Sequence, residues 1–212
     1  MDRNANGMIA VWLHVAESRE EEFNAWYEME HVAEVCAIDG VASGRRYFSA
    51  ARLPKYLVFY ETRDEQVEPG PGFQRLLSHQ TPWSCRMQEF YGENRVRRNY
   101  RRLFAQGAFP ATHEGSLFTL TAQVSGSVDT ARVTAGAADA LNVPGCVAVR
   151  CFENVAADAR YLEVYDFATA DGPAQTAWND FIESRQAALR SAGLSNIVSD
   201  SYRATGTPQV VS

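Results

Sequence analysis

The chain has 212 residues, of which 46% are hydrophobic and 22% are charged, and its formal net charge is −6. This composition is typical of a globular protein that buries a core, and the negative charge disfavours nucleic acid or an anionic membrane as the main partner. No apolar run of about 18 residues and no signal-peptide pattern is present, so we expect neither a membrane span nor export. The four cysteines form no C-x-x-C pair and no ligand set has metal spacing, which predicts a cytoplasmic protein with reduced thiols and no metal site.

An internal repeat divides the chain. The stretch GVASGRRYFSAARLPKYLVFYE (40–61) aligns without a gap to GCVAVRCFENVAADARYLEVYD (145–166), at an offset of 105 residues (145 minus 40). A fixed period of about half the chain indicates a duplicated unit. We predict repeat 1 at 1–105, a linker at 106–115 and repeat 2 at 116–212.

Each repeat is predicted to have the order β-α-β-β-α-β. Ser18 is expected to cap the first helix, with the acidic residues of REEE in its first turn. The predicted strands lie at 8–15, 42–49, 55–62 and within 94–104 in repeat 1, and at 116–123, 147–153, 160–167 and 196–203 in repeat 2. The predicted helices, which begin at Ser18 and then lie at 65–79, 127–141 and 173–192, cover one face of each four-stranded antiparallel sheet. The fold class is therefore α+β, with two ferredoxin-like repeats that can pack sheet to sheet as a pseudo-dimer.

The alternation of side chains along the strands predicts which residues line the space between such sheets. Ile9, Val11 and Leu13 are expected to face the helices, together with Leu57 and Phe59. The predicted interior contains Trp12, His14, Arg45, Tyr47, Tyr56, Val58, Tyr60, Arg98, Tyr100, Arg150, Phe152, Tyr161, Glu163, Tyr165 and Asp200. Aromatic walls with a few convergent polar groups are typical of a small-molecule pocket. The alternative is that charged residues pair across the interior, Arg98 with Asp200 or Arg150 with Glu163.

The stretch FNAWYEMEHVAEV (23–35) carries three further candidates. On a wheel of about 100° per residue, Glu30 lies at the edge of the apolar face, where burial would raise its pKa, as a general acid or base requires. The alternative is that Glu30 pairs with an arginine. The wheel places Tyr27 and His31 on the opposite, solvated side, and the predicted apolar face contains Phe23, Trp26, Met29, Ala33 and Cys36.

His14 is a lone histidine in an apolar strand at a predicted pocket position, where it can transfer a proton. It can equally be a core histidine held by Tyr100. His79 and Trp83 border the predicted pocket mouth or simply follow a helix end. No phosphate-binding loop, Rossmann fingerprint, nucleophile elbow or H-E-x-x-H motif is present, which leaves proton-transfer chemistry on a small organic molecule.

The helix with Trp26, Tyr27 and His31, followed by GRRYF and PKYLVFYE, resembles the EthD-like branch of the dimeric α+β barrel superfamily over residues 8–104. The whole chain resembles a tandem fusion of two such units. The resemblance implies that His31 is the functional helix histidine, although HVAEV stands where these sequences usually have a proline. The second repeat has ARVTAGAADA in place of WYEMEH. Members include cofactor-free monooxygenases, cyclases, isomerases, dehydratases, decarboxylases and haem enzymes, so the reaction stays open.

We predict a cofactor-independent lyase or isomerase for a small aromatic or cyclic carbonyl or carboxylate compound. His14 or His31 would act as acid or base, with Glu30 as a further candidate, and Tyr60 and Tyr100 would donate to a developing oxyanion. The predicted substrate-binding residues, with Arg45 or Arg98 as carboxylate anchor, are Trp12, Tyr27, Arg45, Tyr47, Arg98, Tyr100, Glu163 and Tyr165. Three alternatives remain: a haem protein with His14 or His31 as axial ligand, a cofactor-free monooxygenase, and a non-catalytic binding domain. A homodimer is compatible with the sequence.

Overall fold

The computed structural model describes residues 5–91, 95–108, 115–124, 129–156 and 160–211. Its strands are β1 (Gly7–Leu13), β2 (Val41–Phe48), β3 (Tyr56–Thr62), β4 (Arg95–Gly107), β5 (Ser116–Val124), β6 (Cys146–Asn154), β7 (Arg160–Phe167) and β8 (Leu194–Val210). Its α-helices are α1 (Glu20–Trp26), α2 (Val32–Cys36), α3 (Pro71–Ser78), α4 (Pro82–Tyr91), α5 (Thr130–Thr134) and α6 (Thr176–Ser191). Short 3₁₀ segments lie at Glu17–Arg19, Ala137–Asn142 and Gly172–Ala174.

The chain forms two compact units, one of residues up to Asn99 together with the segment from Thr205 onward, the other Tyr100–Ala204. In unit 1, β3 pairs antiparallel with both β1 and β2. In unit 2, β7 pairs antiparallel with β5 and β6, β5 also pairs with β8, and β6 pairs with β4. The chain order of strands and helices is β-α-β-β-α-β twice, so the predicted α+β class with two ferredoxin-like repeats is confirmed.

The duplication is visible in the strand register. Tyr60 on β3 lies opposite Gly44 on β2, and Tyr165 on β7 lies opposite Val149 on β6. Each residue of the second pair is 105 positions after its counterpart, the offset found in the sequence. The repeat therefore aligns structurally equivalent strands.

The apolar core of unit 1 lies between its sheet and its helices. The prediction that Ile9, Val11 and Leu13 face the helices is confirmed, because they pack in one cluster with residues of α1 and α2. The predicted direction of β3 was wrong. Ile9 lies directly opposite Tyr60 and Val11 opposite Val58, and directly opposed residues share a sheet face, so Tyr60 and Val58 face the helices too.

The equivalent strand of unit 2 corrects the same prediction. Tyr161 and Tyr165 lie in the helix-facing cluster of unit 2, with Trp178 of α6. Both strands carry large apolar residues on both faces, so their alternation does not indicate which face is covered. The register with the neighbouring strands decides the direction, and that pairing is not visible in a single strand.

The helices depart from the sequence prediction more than the strands do. The predicted helix 65–79 is shorter, since α3 begins at Pro71, and α4 was missed. The predicted cap by Ser18 was wrong, because Arg19 occupies the N-cap position of α1 without a capping side chain. The acidic first turn is confirmed by Glu20, Glu21 and Glu22.

Three further expectations concern particular segments. Of the predicted linker, residues 109–114 lie outside the part of the chain that is described. No helix among the described residues is long and apolar enough to cross a membrane. All four cysteines are free thiols, and three of them are buried: Cys36, Cys146 and Cys151.

Candidate functional site

A π-turn at Tyr27–His31 interrupts the first helix of unit 1, between α1 and α2. The backbone N–H of Val32 donates to the carbonyl oxygen of Tyr27, five residues earlier, where an α-helix would use the residue four earlier. Such turns occur mostly as single insertions within α-helices, frequently at functional sites. The insertion makes Tyr27 buried and leaves Met29 75% exposed. The regular wheel was therefore wrong about these positions and about His31.

His31 is packed among aromatic rings. Its imidazole stacks on Trp26 with ring centroids 4.2 Å apart and an interplanar angle of 17°. The Tyr27 ring lies nearly perpendicular to it with centroids 5.2 Å apart, and the Tyr60 ring lies perpendicular with centroids 6.5 Å apart. The sequence pattern predicted a solvated histidine, but the structure places it against the core.

The protonation of His31 follows from this packing. Burial lowers the pKa of its imidazole below the ordinary value, and the nearby Glu34 carboxylate acts in the opposite direction. The distance from Nδ1 to Glu34 Oε2 is 3.8 Å, longer than a hydrogen bond. Nδ1 is buried and has no hydrogen-bond partner among the described residues. His31 is therefore neutral near pH 7 and can accept a proton.

A cavity of about 60 Å³ lies beside His31, between the helices and the sheet of unit 1. Three predicted site residues line it, namely His31, Tyr27 and Tyr60. The wall also contains residues that the sequence reasoning did not select, from the helices and from β4: Trp26, Phe73, Leu77, Tyr91, Arg95 and Arg97. Leu77 is 51% exposed, which marks the opening of the cavity.

Tyr60 lines this cavity, and its hydroxyl is unpaired within the described residues. Its side chain is only 3% exposed, and Oη has no hydrogen-bond partner within the described residues. Burial raises the pKa of Tyr60 well above the usual value, with the neighbouring Tyr27 phenol acting in the same direction. Tyr60 therefore stays protonated and can donate a hydrogen bond to a ligand.

In unit 2, the hydroxyl of the corresponding tyrosine, Tyr165, forms a hydrogen bond within the core. Tyr165 donates to Glu163 Oε2 at 2.5 Å, and Tyr161 donates to Glu163 Oε1 at 2.7 Å. Arg185 completes the cluster through Nε, 3.1 Å from Glu163 Oε1. Glu163 is fully buried, so these contacts are those of a satisfied core ion pair. The pairing of Arg150 with Glu163 that the sequence suggested was wrong.

Arg150 has a different acidic partner. Its Nη2 lies 2.9 Å from Asp166 Oδ2, and both side chains are buried. The equivalent positions in unit 1 are Arg45 and Glu61, which are buried as well. The duplicated sheets thus each contain a buried arginine and acid at the same offset.

Glu30 does not line the cavity, but its carboxylate binds residues that surround it. Its Oε1 accepts hydrogen bonds from Thr81 at 2.6 Å, from Ser84 at 3.1 Å and from Trp26 Nε1 at 3.2 Å. These hydroxyl and indole donors take the place of the arginine that the sequence suggested. Two of these bonds join the π-turn to the start of α4, and the third holds the Trp26 ring on which His31 stacks.

The other predicted site residues in unit 1 do not line this cavity. His14 follows the end of β1 and is half-buried. Trp12 is buried and lies under the Arg98 guanidinium, whose Cζ is 5.8 Å from the ring centroid. Tyr47, beside the buried Arg45, packs edge-on against Phe59 on the face away from the helices, with centroids 5.6 Å apart.

Tyr100 belongs to unit 2, where it is buried edge-on to Phe152 with centroids 6.3 Å apart. A ligand-binding role for Tyr100 stays a prediction. The same holds for the predicted site residues of unit 1 that do not line the cavity.

Two arginines of β4 bring positive charge to the cavity wall. The Arg97 guanidinium lies 5.0 Å from the Phe73 ring centroid, and its Nη2 is 2.9 Å from Glu68 Oε1. Arg95 lies over Tyr91 at 5.6 Å. Burial lowers the pKa of Arg97, but a guanidinium remains charged. The sequence signal for these residues is the alternation of NRVRRNYRR, which sets Arg95 and Arg97 on one face and Arg98 on the other.

Comparison with known proteins shows the fold. No family model and no curated protein matches the chain. Among solved structures, a candidate monooxygenase from Fusobacterium nucleatum has a TM-score of 0.62 at 10% identity, covering 94% of this chain and 93% of that one. Another, from Lactobacillus acidophilus, has a TM-score of 0.56 at 11% identity, covering 98% and 100%. A candidate chlorite dismutase has a TM-score of 0.53 at 13% identity, covering 95% of each chain.

These likenesses in fold extend over nearly the whole chain. At such low identity they show the fold alone, and the chemistry has to be argued from the site.

Haem does not fit the cavity beside His31. A macrocycle of four pyrrole rings is far larger than about 60 Å³. One face of the His31 ring is also covered by Trp26, and two tyrosine rings lie roughly perpendicular to it with centroids 5.2 and 6.5 Å away. The residues around His31 therefore do not form a haem site.

Proposed function

We propose that the chain is a cofactor-independent lyase or isomerase that moves a proton on a small aromatic or cyclic carbonyl compound. One observation supports this proposal above others: the neutral imidazole of His31 and the unpaired hydroxyl of Tyr60 line the same cavity, with ring centroids 6.5 Å apart. A base in its active protonation state beside a permanent hydrogen-bond donor is the arrangement that enolisation requires.

In this mechanism, His31 takes a proton from the carbon next to the carbonyl group. Tyr60 donates its hydrogen bond to the carbonyl oxygen as negative charge develops there. His31 then returns the proton at another carbon, which shifts a double bond, or protonates a leaving hydroxyl group, which completes a dehydration. Glu30 is a positioning residue, since it holds Trp26, which stacks on His31.

The proposal can be tested by hydrogen–deuterium exchange at carbon, an assay that does not require the natural substrate. Wild-type protein is incubated in D₂O with a panel of cyclic and aryl ketones, and deuterium incorporation is measured by NMR. The H31Q variant should lose about 10²–10⁴-fold in exchange rate, and Y60F about 10²–10³-fold. H79Q is the matched control, because His79 is exposed and lies outside the cavity wall. A full exchange rate in H31Q would refute the proposal, and ligand-induced stabilisation without exchange or product would favour a binding domain.

A cofactor-free monooxygenase is the second candidate. Two structures of similar fold are named as candidate monooxygenases. The first step would be the same removal of a proton by His31. The carbanion would then reduce O₂, so that a CH₂ group becomes C=O and the second oxygen atom leaves as water. Oxygen consumption that matches product formation would select this reaction, and turnover under nitrogen would select the lyase or isomerase.

The setting of the enzyme is part of the same proposal. We place residues 8–104 in the EthD-like branch, on the motifs around His31 and in β2 and β3.

Four free cysteines, three of them buried, support a reducing, cytoplasmic setting. We propose a homodimer, which light scattering tests against the chain mass of 23.6 kDa.

A further inference from the structure

Four buried polar atoms of residues at the cavity lack hydrogen-bond partners among the described residues: Tyr60 Oη, His31 Nδ1, and Nε and Nη2 of Arg97. All three residues line the cavity. Buried polar groups are nearly always hydrogen-bonded, so each such atom calls for an explanation. Tyr60 Oη–H and Arg97 Nε–H are donors, and a ligand that satisfies both must bring acceptors.

The charges around the cavity indicate which acceptor fits. Arg95 and Arg97 line the wall, and Glu34 is the carboxylate that lines it beside His31. Glu68 pairs with one end of the Arg97 guanidinium at 2.9 Å, through Nη2. The Nε of Arg97 remains available. Although the chain as a whole carries −6, its donors at this cavity are cationic or neutral.

We propose that the cavity binds the carboxylate of a compound with a single ring, with Arg97 Nε–H and Tyr60 O–H as the two donors. Two donors match the two oxygens of a carboxylate, and a guanidinium binds carboxylates with directional, charge-assisted hydrogen bonds. The rings of Trp26, Phe73 and Tyr91 form apolar walls for the carbon skeleton. This inference rests on the proposed function: the carboxylate is the carbonyl group next to which His31 removes a proton, so the single O–H of Tyr60 serves the same group in both.

The size of the cavity limits how the compound enters. A cavity of about 150 Å³ holds benzene, whereas this one has about 60 Å³. The enclosed space therefore takes the carboxylate and the adjoining edge of the ring. The far edge of the ring lies at the opening beside Leu77, whose exposed side chain offers it apolar contact.

Calorimetric titration with sodium benzoate tests the proposal, with benzamide as the neutral probe of the same shape. Wild-type protein should bind benzoate at least tenfold more tightly than benzamide. R97Q should weaken benzoate binding at least tenfold, and Y60F about threefold to tenfold. R203Q is the control, because Arg203 is an exposed arginine paired with Asp171, away from the cavity wall. It should bind benzoate as the wild type does.

Three outcomes would overturn the inference: no benzoate binding by the wild type, equal affinity for benzamide, or unchanged benzoate affinity in both R97Q and Y60F. The melting temperature of R97Q checks that it folds. If R97Q does not fold, Y60F alone decides, because that change removes one hydroxyl that has no partner in the described structure. Deuterium exchange on neutral ketones is independent of the carboxylate, so failure of the carboxylate site and failure of the proton-transfer proposal give different results.

Discussion

Tyr165 donates its hydroxyl hydrogen to Glu163 at 2.5 Å, whereas Tyr60, its equivalent 105 residues earlier, has no hydrogen-bond partner within the described residues. The difference arises two residues away. Glu163 of unit 2 corresponds to Val58 of unit 1, and valine accepts no hydrogen bond. The duplicated strand therefore carries a tyrosine that stabilises the core in one unit and one that is available to a ligand in the other.

The two tyrosines should respond differently to removal of the hydroxyl group. Y165F removes a donor to a buried carboxylate and should lower the free energy of unfolding by about 1–3 kcal/mol. Y60F breaks no described hydrogen bond, so the free energy of unfolding should change by no more than about 0.5 kcal/mol. Urea unfolding of both variants at one pH measures this contrast. Equal destabilisation would show that Tyr60 has a protein partner.

The pH dependence of stability should report His31. Its pKa is lowered in the folded protein, whereas the unfolded chain has the ordinary value of about 6.5. Below about pH 6.5 the unfolded state therefore binds more protons, and the stability contributed by the neutral, buried imidazole is lost as the pH falls toward the folded pKa.

H31Q removes this proton linkage. The stability difference between wild type and H31Q, measured by urea unfolding, should therefore shrink from pH 7.5 to pH 5. A difference that stays constant over this range would mean that His31 has the same pKa in both states. Enzymatic exchange should likewise be level above pH 7 and should fall on acidification, because only the neutral imidazole accepts a proton.

The strands could be predicted from the sequence because alternation is a local signal, and the duplication because the same pattern recurs at a fixed offset of 105 residues. Strand β7 was predicted at its observed bounds, Arg160–Phe167, since alternation and turn residues mark it within a few positions. The covered face of β3 was not accessible, because its apolar residues occur on both faces and only the pairing of Ile9 with Tyr60 fixes the direction. Periodicity predicts that a strand forms, but which of its faces packs against the helices depends on neighbouring strands that are distant in sequence.

Only part of the candidate site could be predicted from the sequence. Tyr27, His31 and Tyr60 were selected and do meet at one cavity. The wheel excluded His31 because it assumed regular turns, and the resemblance to EthD-like proteins retained it. Arg97 was missed because the pocket was expected on the sheet face away from the helices, where Arg98 lies over Trp12, whereas the cavity lies on the helix side. The π-turn and the side of the sheet on which a cavity forms both depend on tertiary packing, which a single sequence does not show.

Glu30 should behave as a positioning residue. E30A removes the acceptor of three hydrogen bonds and should cost about 1–3 kcal/mol of stability together with most of the exchange activity. E30Q keeps a side-chain oxygen acceptor, so it should retain most of the exchange rate, which a general acid or base would not allow. E89A is the control, since Glu89 is exposed on the same helix as Ser84. An E30Q variant that folds normally but has no activity would return Glu30 to a catalytic role.

The π-turn makes the sharpest prediction about how the site is built. Deletion of Met29, whose side chain is 75% exposed, removes the extra residue and should restore regular α-helical hydrogen bonds through Tyr27–Val35. His31 would then turn by about 100° relative to Trp26, so its ring would leave the cavity while the helix persists. Circular dichroism should show unchanged helix content, and benzoate binding and deuterium exchange should both be lost. M29A keeps the π-turn and should match the wild type in both assays. A deletion variant with wild-type activity would mean that the active geometry does not depend on the inserted residue.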